Sequence, residues 1–210
     1  MRMPMRWTSA AVTALCVLLA ACTSTRLEGS WTRPEFAGTR LTGPVLVVGV
    51  ARDDTLRRVY EDAMAAQLAA RGIDARRSYE LAPAALQGDS GETLQQAARK
   101  AGAAWLLSTA VIGQQREAVV TQDPNLYMGW GWRGWYRSYW GLSYPLRTEV
   151  RTYSVYTAQT VLTDVARDRI EWTARTRTTD PADVERETRG FVTVIVGAME
   201  KAGLVAPAAK

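Results

Sequence analysis

The spacing of apolar positions changes several times along this chain, and each change marks an element. An apolar run from Ala10 to Ala21 follows a short basic stretch, Met1-Arg2-Met3-Pro4-Met5-Arg6, and stops at Cys22. The run is about half of the roughly 20 residues that a membrane-spanning helix needs. Residues 23 to 43 hold Thr, Ser, Gly, Pro and Arg with little periodicity. They read as a tether, about 25 Å end to end as a flexible coil, that lets a domain sit clear of its attachment point. Pro44-Val45-Leu46-Val47-Val48-Gly49-Val50 is then continuously apolar, the pattern of a strand buried on both faces. Asp53 or Asp54 caps a helix whose apolar positions Leu56, Val59, Tyr60, Ala63, Met64 and Leu68 recur at three and four, and Gly72 ends it.

Ile73 to Leu81 reads as a weaker strand, and Asp89 with Glu92 forms a capping-box start for a helix carrying Leu94, Ala97, Ala98 and Ala101, closed by Gly102. Ala103 to Val120 is a third strand. Arg147 to Val165 and Arg169 to Thr178 are two strands joined by the turn Ala166-Arg167-Asp168, with Ile170, Trp172, Ala174, Thr176 and Thr178 on one face. Asp180-Pro181 places a cap and a first-turn proline before a last helix with Val184, Thr188, Phe191, Val192, Ile195 and Met199 inward, ended by Gly203. The order is βαβαβ, then ββ, then α. It predicts an α/β (mixed α+β) fold for residues 44–205, one domain with a mixed sheet of about five strands and helices packed on it.

The basic start, short apolar run and small residues before Cys22 form an export signal over residues 1–21. Leu19-Ala20-Ala21-Cys22 matches a lipobox, in which the cysteine thiol takes lipid and becomes the new N-terminus. Several acyl chains on one residue hold a protein to a bilayer without a spanning helix. Residues 22–43 are then the lipidated tether. Thr23 rather than Asp after the cysteine resembles sorting to an outer membrane, facing the periplasm.

Processing removes Arg2 and Arg6, lowering the formal charge from +5 to +3, and leaves 189 residues, enough for one domain with a proper core. Cys16 leaves with the signal and Cys22 is acylated, so packing rather than a disulfide holds the mature chain. With no histidine anywhere, Ser/His/Asp and Cys/His nucleophilic sites and the commonest metal ligand drop out. The expectation is no metal, no cofactor and no catalytic residue. Arginine outnumbers lysine, but +3 without a basic cluster does not point to nucleic acid.

The unusual segment is the insertion at 124–146. From Pro124 to Thr148 there is no Asp or Glu, while Arg133, Arg137 and Arg147 accompany Trp130, Trp132, Trp135, Trp140, Tyr127, Tyr136, Tyr139 and Tyr144. Four of the seven tryptophans of the mature chain fall within eleven residues. A hairpin extension whose rings stack on each other is one reading. The other is a recognition patch over 127–144, with Trp130, Trp132, Arg133, Trp135, Tyr136, Arg137, Tyr139 and Trp140 meeting an envelope protein, a lipid headgroup or a glycan. Gly129-Trp130-Gly131-Trp132-Arg133-Gly134 formally matches G-x-G-x-x-G but lacks the strand–helix context of a nucleotide loop. Among carboxylates, Asp53 and Asp54 read as helix caps, Asp164 as a turn residue, and Glu117 and Asp123 as strand-edge charges.

Ser30-Trp31-Thr32-Arg33-Pro34-Glu35-Phe36, Val45 to Val50, Ala101-Gly102-Ala103-Ala104-Trp105-Leu106-Leu107, and Leu162-Thr163-Asp164 with Ile170-Glu171-Trp172 resemble a family of bacterial envelope lipoproteins without an established activity. Members tend to carry a Gly/Tyr/Trp-rich insertion where this chain has 127–144. More distantly, the element order resembles the α/β domains of the curli-secretion lipoprotein and of the N-terminal part of the Tol-system periplasmic protein. The resemblance implies a domain that binds partners or assembles and adds no catalytic residues. The leading expectation is therefore a non-catalytic, membrane-anchored binding or accessory module. The alternatives are a cell-wall glycan-acting enzyme using Glu117 or Asp123, and a structural subunit of an envelope assembly.

Overall fold

The computed structural model describes residues 24–51, 53–81, 91–122, 148–181 and 183–208. The continuous apolar run forms the predicted doubly buried strand, β2 (Val45–Val50), parallel to a short edge strand, β3 (Ala75–Arg77), and to the long β4 (Trp105–Gln122). β4 turns back antiparallel into β5 (Thr148–Asp164), β5 into β6 (Arg169–Thr179), and β6 carries an antiparallel edge strand, β1 (Thr25–Thr32). The result is a mixed six-stranded sheet in the order β1-β6-β5-β4-β2-β3.

Two long helices, α1 (Asp54–Ala69) and α4 (Val184–Lys201), cover one face. Tyr60, Met64 and Leu68 of α1 and Val192, Ile195 and Met199 of α4 meet Val45, Val47, Leu107, Leu162 and Trp172 in the main core. Their apolar stripes follow the helical repeat, so each buries one face. Between α1 and the rest of the chain, α2 (Ser78–Leu81) is a single turn, and α3 (Gly91–Lys100) lies on the opposite side of the sheet, where Leu94 and Ala98 pack on Leu46, Val48 and Leu106. This second layer stops at β4, so Thr173, Gln159 and Arg175 on β5 and β6 stay accessible. Gly72 and Gly203, both at φ +77°, end α1 and α4 in the left-handed conformation that a Cβ disfavours.

Several expectations change. Residues 25–32, read as part of a tether, are the sheet's sixth strand, and Phe36 and Leu41 are buried in the core. The segment exposes Arg26, Glu28, Ser30 and Trp31 in a mixed pattern and is kinked by a register shift between Leu27 and Gly29, which erases the local alternation. Its exit is clamped: Arg33 donates from its amide to the Glu171 carbonyl at 2.8 Å and from Nε and Nη2 to the Ile170 carbonyl, and Nε lies 3.1 Å from the buried Glu171 carboxylate. Arg169 contacts the same carboxylate at 2.7 Å, so the buried charge has two cationic partners. A register shift beside Glu171 breaks the expected alternation of β6 and leaves Ile170 exposed. The cap of α4 is Asp183, whose side chain accepts from the Arg186 amide, and not Asp180, which bends the chain at φ 49°. Val184 is exposed instead of inward.

Asp164 closes the β5–β6 turn as expected, accepting from the Ala166 and Arg167 amides at 2.9 Å. Burial pushes its carboxyl up, but the Arg167 amide and guanidinium and the Ala166 amide outweigh that and hold it below the ordinary carboxylate range. A depressed folded pKa stabilises the fold above the unfolded value, and that contribution fades as pH falls through the folded one. Asp164→Asn should thus lower Tm slightly at pH 7, with the difference closing as pH drops below about 4. A difference that widened in acid would contradict the assignment. For β1, deleting residues 25–32 from the full chain should lower Tm by at least about 5 °C, or ~2 kcal/mol for a domain of this size. A dispensable tether would leave Tm where it was.

Candidate functional site

Strand directions bring several ends together. β2, β4 and β6 run the same way, so Val50 at the end of β2 lies beside Ala110, Thr179 at the end of β6 beside Val155, and Thr25 at the start of β1 beside Thr178. α1 leaves β2 and α4 follows β6, and both therefore start at this end of the sheet. Crevices at the carboxyl ends of parallel strands are the usual ligand positions in open α/β sheets. Here the first turns of α1 and α4 and the sheet beneath them enclose a cleft of about 720 Å³.

Its lining is mostly apolar, with Val50, Leu56, Val111, Ala158, Val184 and Phe191 among the residues around it. The polar groups are largely committed to one another. Asp53 caps α1 by accepting from the Thr55 and Leu56 amides at 2.8 and 3.1 Å. Tyr60 Oη is 2.7 Å from Thr109 Oγ1, which is 2.8 Å from Thr160 Oγ1, a hydroxyl chain running into the sheet. Burial pushes the Tyr60 hydroxyl above the ordinary phenol range, keeping it protonated at neutral pH. Glu187 accepts from Ser24 Oγ. Arg57, 8% exposed, pairs through Nη2 with Asp54, and its Nε is buried without an acceptor among the described residues.

The cleft is braced from behind by Glu61, a fully buried carboxylate one position beyond Tyr60. Its Oε1 accepts from the Gly49 amide at 3.0 Å and from Ser78 Oγ at 2.6 Å, and Oε2 accepts from the Tyr79 amide at 3.1 Å. One side chain of α1 thereby fixes the last turn of β2 and the start of α2. It also explains why only three residues of the predicted strand 73–81 are extended: the chain is drawn into a helical turn at Ser78. Arg57, Glu61, Met64 and Leu68 recur at four, three and four on the inward face of α1, and this periodic placement of two charges was the sequence signal for their burial.

Beyond Gln115 and Val155, β4 and β5 pair only with each other among the described residues. From Arg116–Ser154 to Gln122–Thr148 this two-stranded ribbon projects about 20 Å past the sheet, at the cleft end. A second hollow, about 470 Å³ and more open, lies at the Gly29 bulge between Trp31, Gln159 and Arg175.

The expected lipid site Cys22 lies outside the described residues, as do Trp130, Trp132, Arg133, Trp135, Tyr136, Arg137, Tyr139 and Trp140 of the recognition patch and the carboxylate Asp123. Glu117 is exposed on β4 and paired with Arg177. Asp54, expected as an alternative cap, instead bridges Arg57 and Arg58. Among the described residues there is no group of three or more potential metal-ligating His, Cys, Asp or Glu side chains, and no helix long and apolar enough to cross a membrane.

No protein-family model and no curated protein matches the chain. Solved structures do: the PelC dodecamer from Paraburkholderia phytofirmans is similar at 14% identity and a TM-score of 0.44, over 86% of this chain and 98% of that one. Lipoprotein GNA1162 from Neisseria meningitidis is similar at 12% identity and a TM-score of 0.41, over 76% of this chain and 99% of that one. Similarity at this level identifies neither ligand nor assembly.

The wall at Tyr60 is sensitive to one position. A Cβ at Gly49 would fall 2.9 Å from Tyr60 Cδ1 and 3.4 Å from Arg57 Cγ. Gly49→Ala should displace the ring, break its bond to Thr109 and destabilise the domain by about 1–3 kcal/mol in denaturant titration. Tyr60→Phe, which removes only the hydroxyl, should cost about 1 kcal/mol. A Gly49→Ala variant as stable as the parent would show that the ring does not move.

Proposed function

We propose that this chain is a lipoprotein of the bacterial envelope, anchored through lipid on Cys22, whose α/β domain is a non-catalytic accessory module held with its cleft end against the membrane. The carrying observation is the position of Ser24. It contacts Glu187 in the cleft wall, its carbonyl accepts from the Thr179 amide at 3.1 Å, and β1 begins at the next residue. One residue, Thr23, therefore separates the lipobox cysteine from Ser24, the first residue bonded to the folded domain. The anchor joins the domain directly at the end that carries the cleft and the ribbon. Thr23 after the cysteine favours the outer membrane, with the domain in the periplasm.

The non-catalytic reading is supported by the absence of histidine from the sequence and by the cleft carboxylates, Asp53 and Glu187, each being engaged in a local hydrogen bond. Segment 127–144 connects the two strands of the ribbon, so it departs from and returns to the same end. Its acid-free set of rings and arginines suits contact with an envelope protein, a lipid headgroup or a glycan at the membrane surface.

Replacing Trp130, Trp132, Trp135 and Trp140 together by Ala should leave Tm and the far-ultraviolet circular dichroism spectrum nearly unchanged, while abolishing the envelope phenotype of the intact protein. Unfolding of the variant would make those rings core and end the recognition reading.

A further inference from the structure

We infer that the apolar cleft holds one acyl chain of the protein's own Cys22 anchor, an inference that rests on the lipidation proposed above. Three valines from three different elements, Val50 of β2, Val111 of β4 and Val184 of α4, are 44%, 56% and 59% exposed around one opening. Isolated exposed valines need no explanation, but these converge on a cleft floored by Ala158 and walled by Leu56 and Phe191. At about 720 Å³ the space is in the range of sites that enclose small ligands.

The wall chemistry favours a hydrocarbon. Asp53, Tyr60 and Glu187 each hold a hydrogen bond within the protein, and among the described lining residues Arg57 Nε is a buried donor without an acceptor. Transfer of methylenes from water to such a surface is favourable per unit of area buried, without any polar partner.

Chain connectivity selects the source. Ser24 is tied to Glu187, a lining residue, and Cys22 lies two residues before it, so chain geometry limits its Cα to within about 7 Å of the Ser24 Cα. A group tethered this closely competes at an effective concentration in the millimolar range, ahead of a free lipid that must leave its bilayer unaided. The remaining chains stay available to the membrane, and the sheathed one is kept from water whenever the protein is lifted from it.

The test uses the full chain in cells fed a fatty acid carrying both a diazirine and an alkyne. After irradiation of the membranes, adducts linked to Cys22 are located by mass spectrometry. The expected result is intramolecular attachment concentrated on the segments containing Leu56, Val111, Val184 and Phe191. In the double variant Val111→Asp and Val184→Asp, both sites being exposed, Tm should hold while adduct yield falls about tenfold, because a carboxylate at the rim disfavours an apolar guest. Label on Cys22 with adducts confined to phospholipid, or spread evenly over the surface, would overturn the inference and leave the anchoring intact. Labelling of the cleft by a photoactivatable phospholipid in place of the Cys22 chain would overturn it in favour of a bilayer lipid. Recovery of the protein without any label on Cys22 would remove the anchoring and the inference together.

Discussion

The antiparallel pairing of β1 with β6 governs how the rest of this protein is oriented. It fixes Thr25 opposite Thr178, with their hydroxyls 2.8 Å apart, and so fixes which end of the sheet receives the start of the domain. Were residues 25–32 free, the lipobox cysteine would be joined to the domain by a coil about 25 Å long and every orientation would be open to it. Paired, they leave Thr23 alone between that cysteine and Ser24, so an anchor on Cys22 would sit on the cleft side.

Two buried acids hold this arrangement, and they do so differently. Glu61 is satisfied by two backbone amides and a serine hydroxyl, donors supplied by β2 and α2, so it registers the helix against the sheet without a cation. Glu171 is met by Arg33 and Arg169, and Arg33 also binds backbone on β6, so this second acid registers the end of β1. Removing Glu61 would leave the buried Gly49 amide and Ser78 hydroxyl without this acceptor, whereas removing Glu171 would leave Arg33 its bonds to the Ile170 carbonyl and its partly exposed head in water.

Much of the α/β architecture was legible because its signals are local. The run from Val45 to Val50 needed no partner to be recognised as a doubly buried strand, and the Tyr60, Met64, Leu68 spacing announced α1 with its ending at Gly72. Asp164 read correctly as a turn residue because an Asx turn involves its immediate neighbours. β1 escaped because its pairing partner lies some 150 residues away and its bulge spoils the alternation that would otherwise mark it. The cleft escaped for a related reason. Its walls come from α1, α4 and four strands, and residues such as Val184, assigned inward by periodicity, prove to be rim positions only once the helix start is placed beside the sheet.

Under the proposed anchoring, so short a link also alters how the molecule meets other proteins. A domain on a long leash tumbles, and a partner must find it by a full rotational search. Were Cys22 acylated as proposed, this domain would instead stand on the bilayer with restricted tilt, and the orientational freedom lost on docking would be partly surrendered in advance. The turn at Asp164–Asp168 and the helix ends at Gly72 and Gly203 lie at the opposite end of the sheet from the cleft, so on a domain anchored in this way they would face the aqueous compartment, while lateral neighbours in the same leaflet would meet the long sides of β4 and β5. Diffusion in two dimensions with a preset heading makes even weak lateral contacts productive.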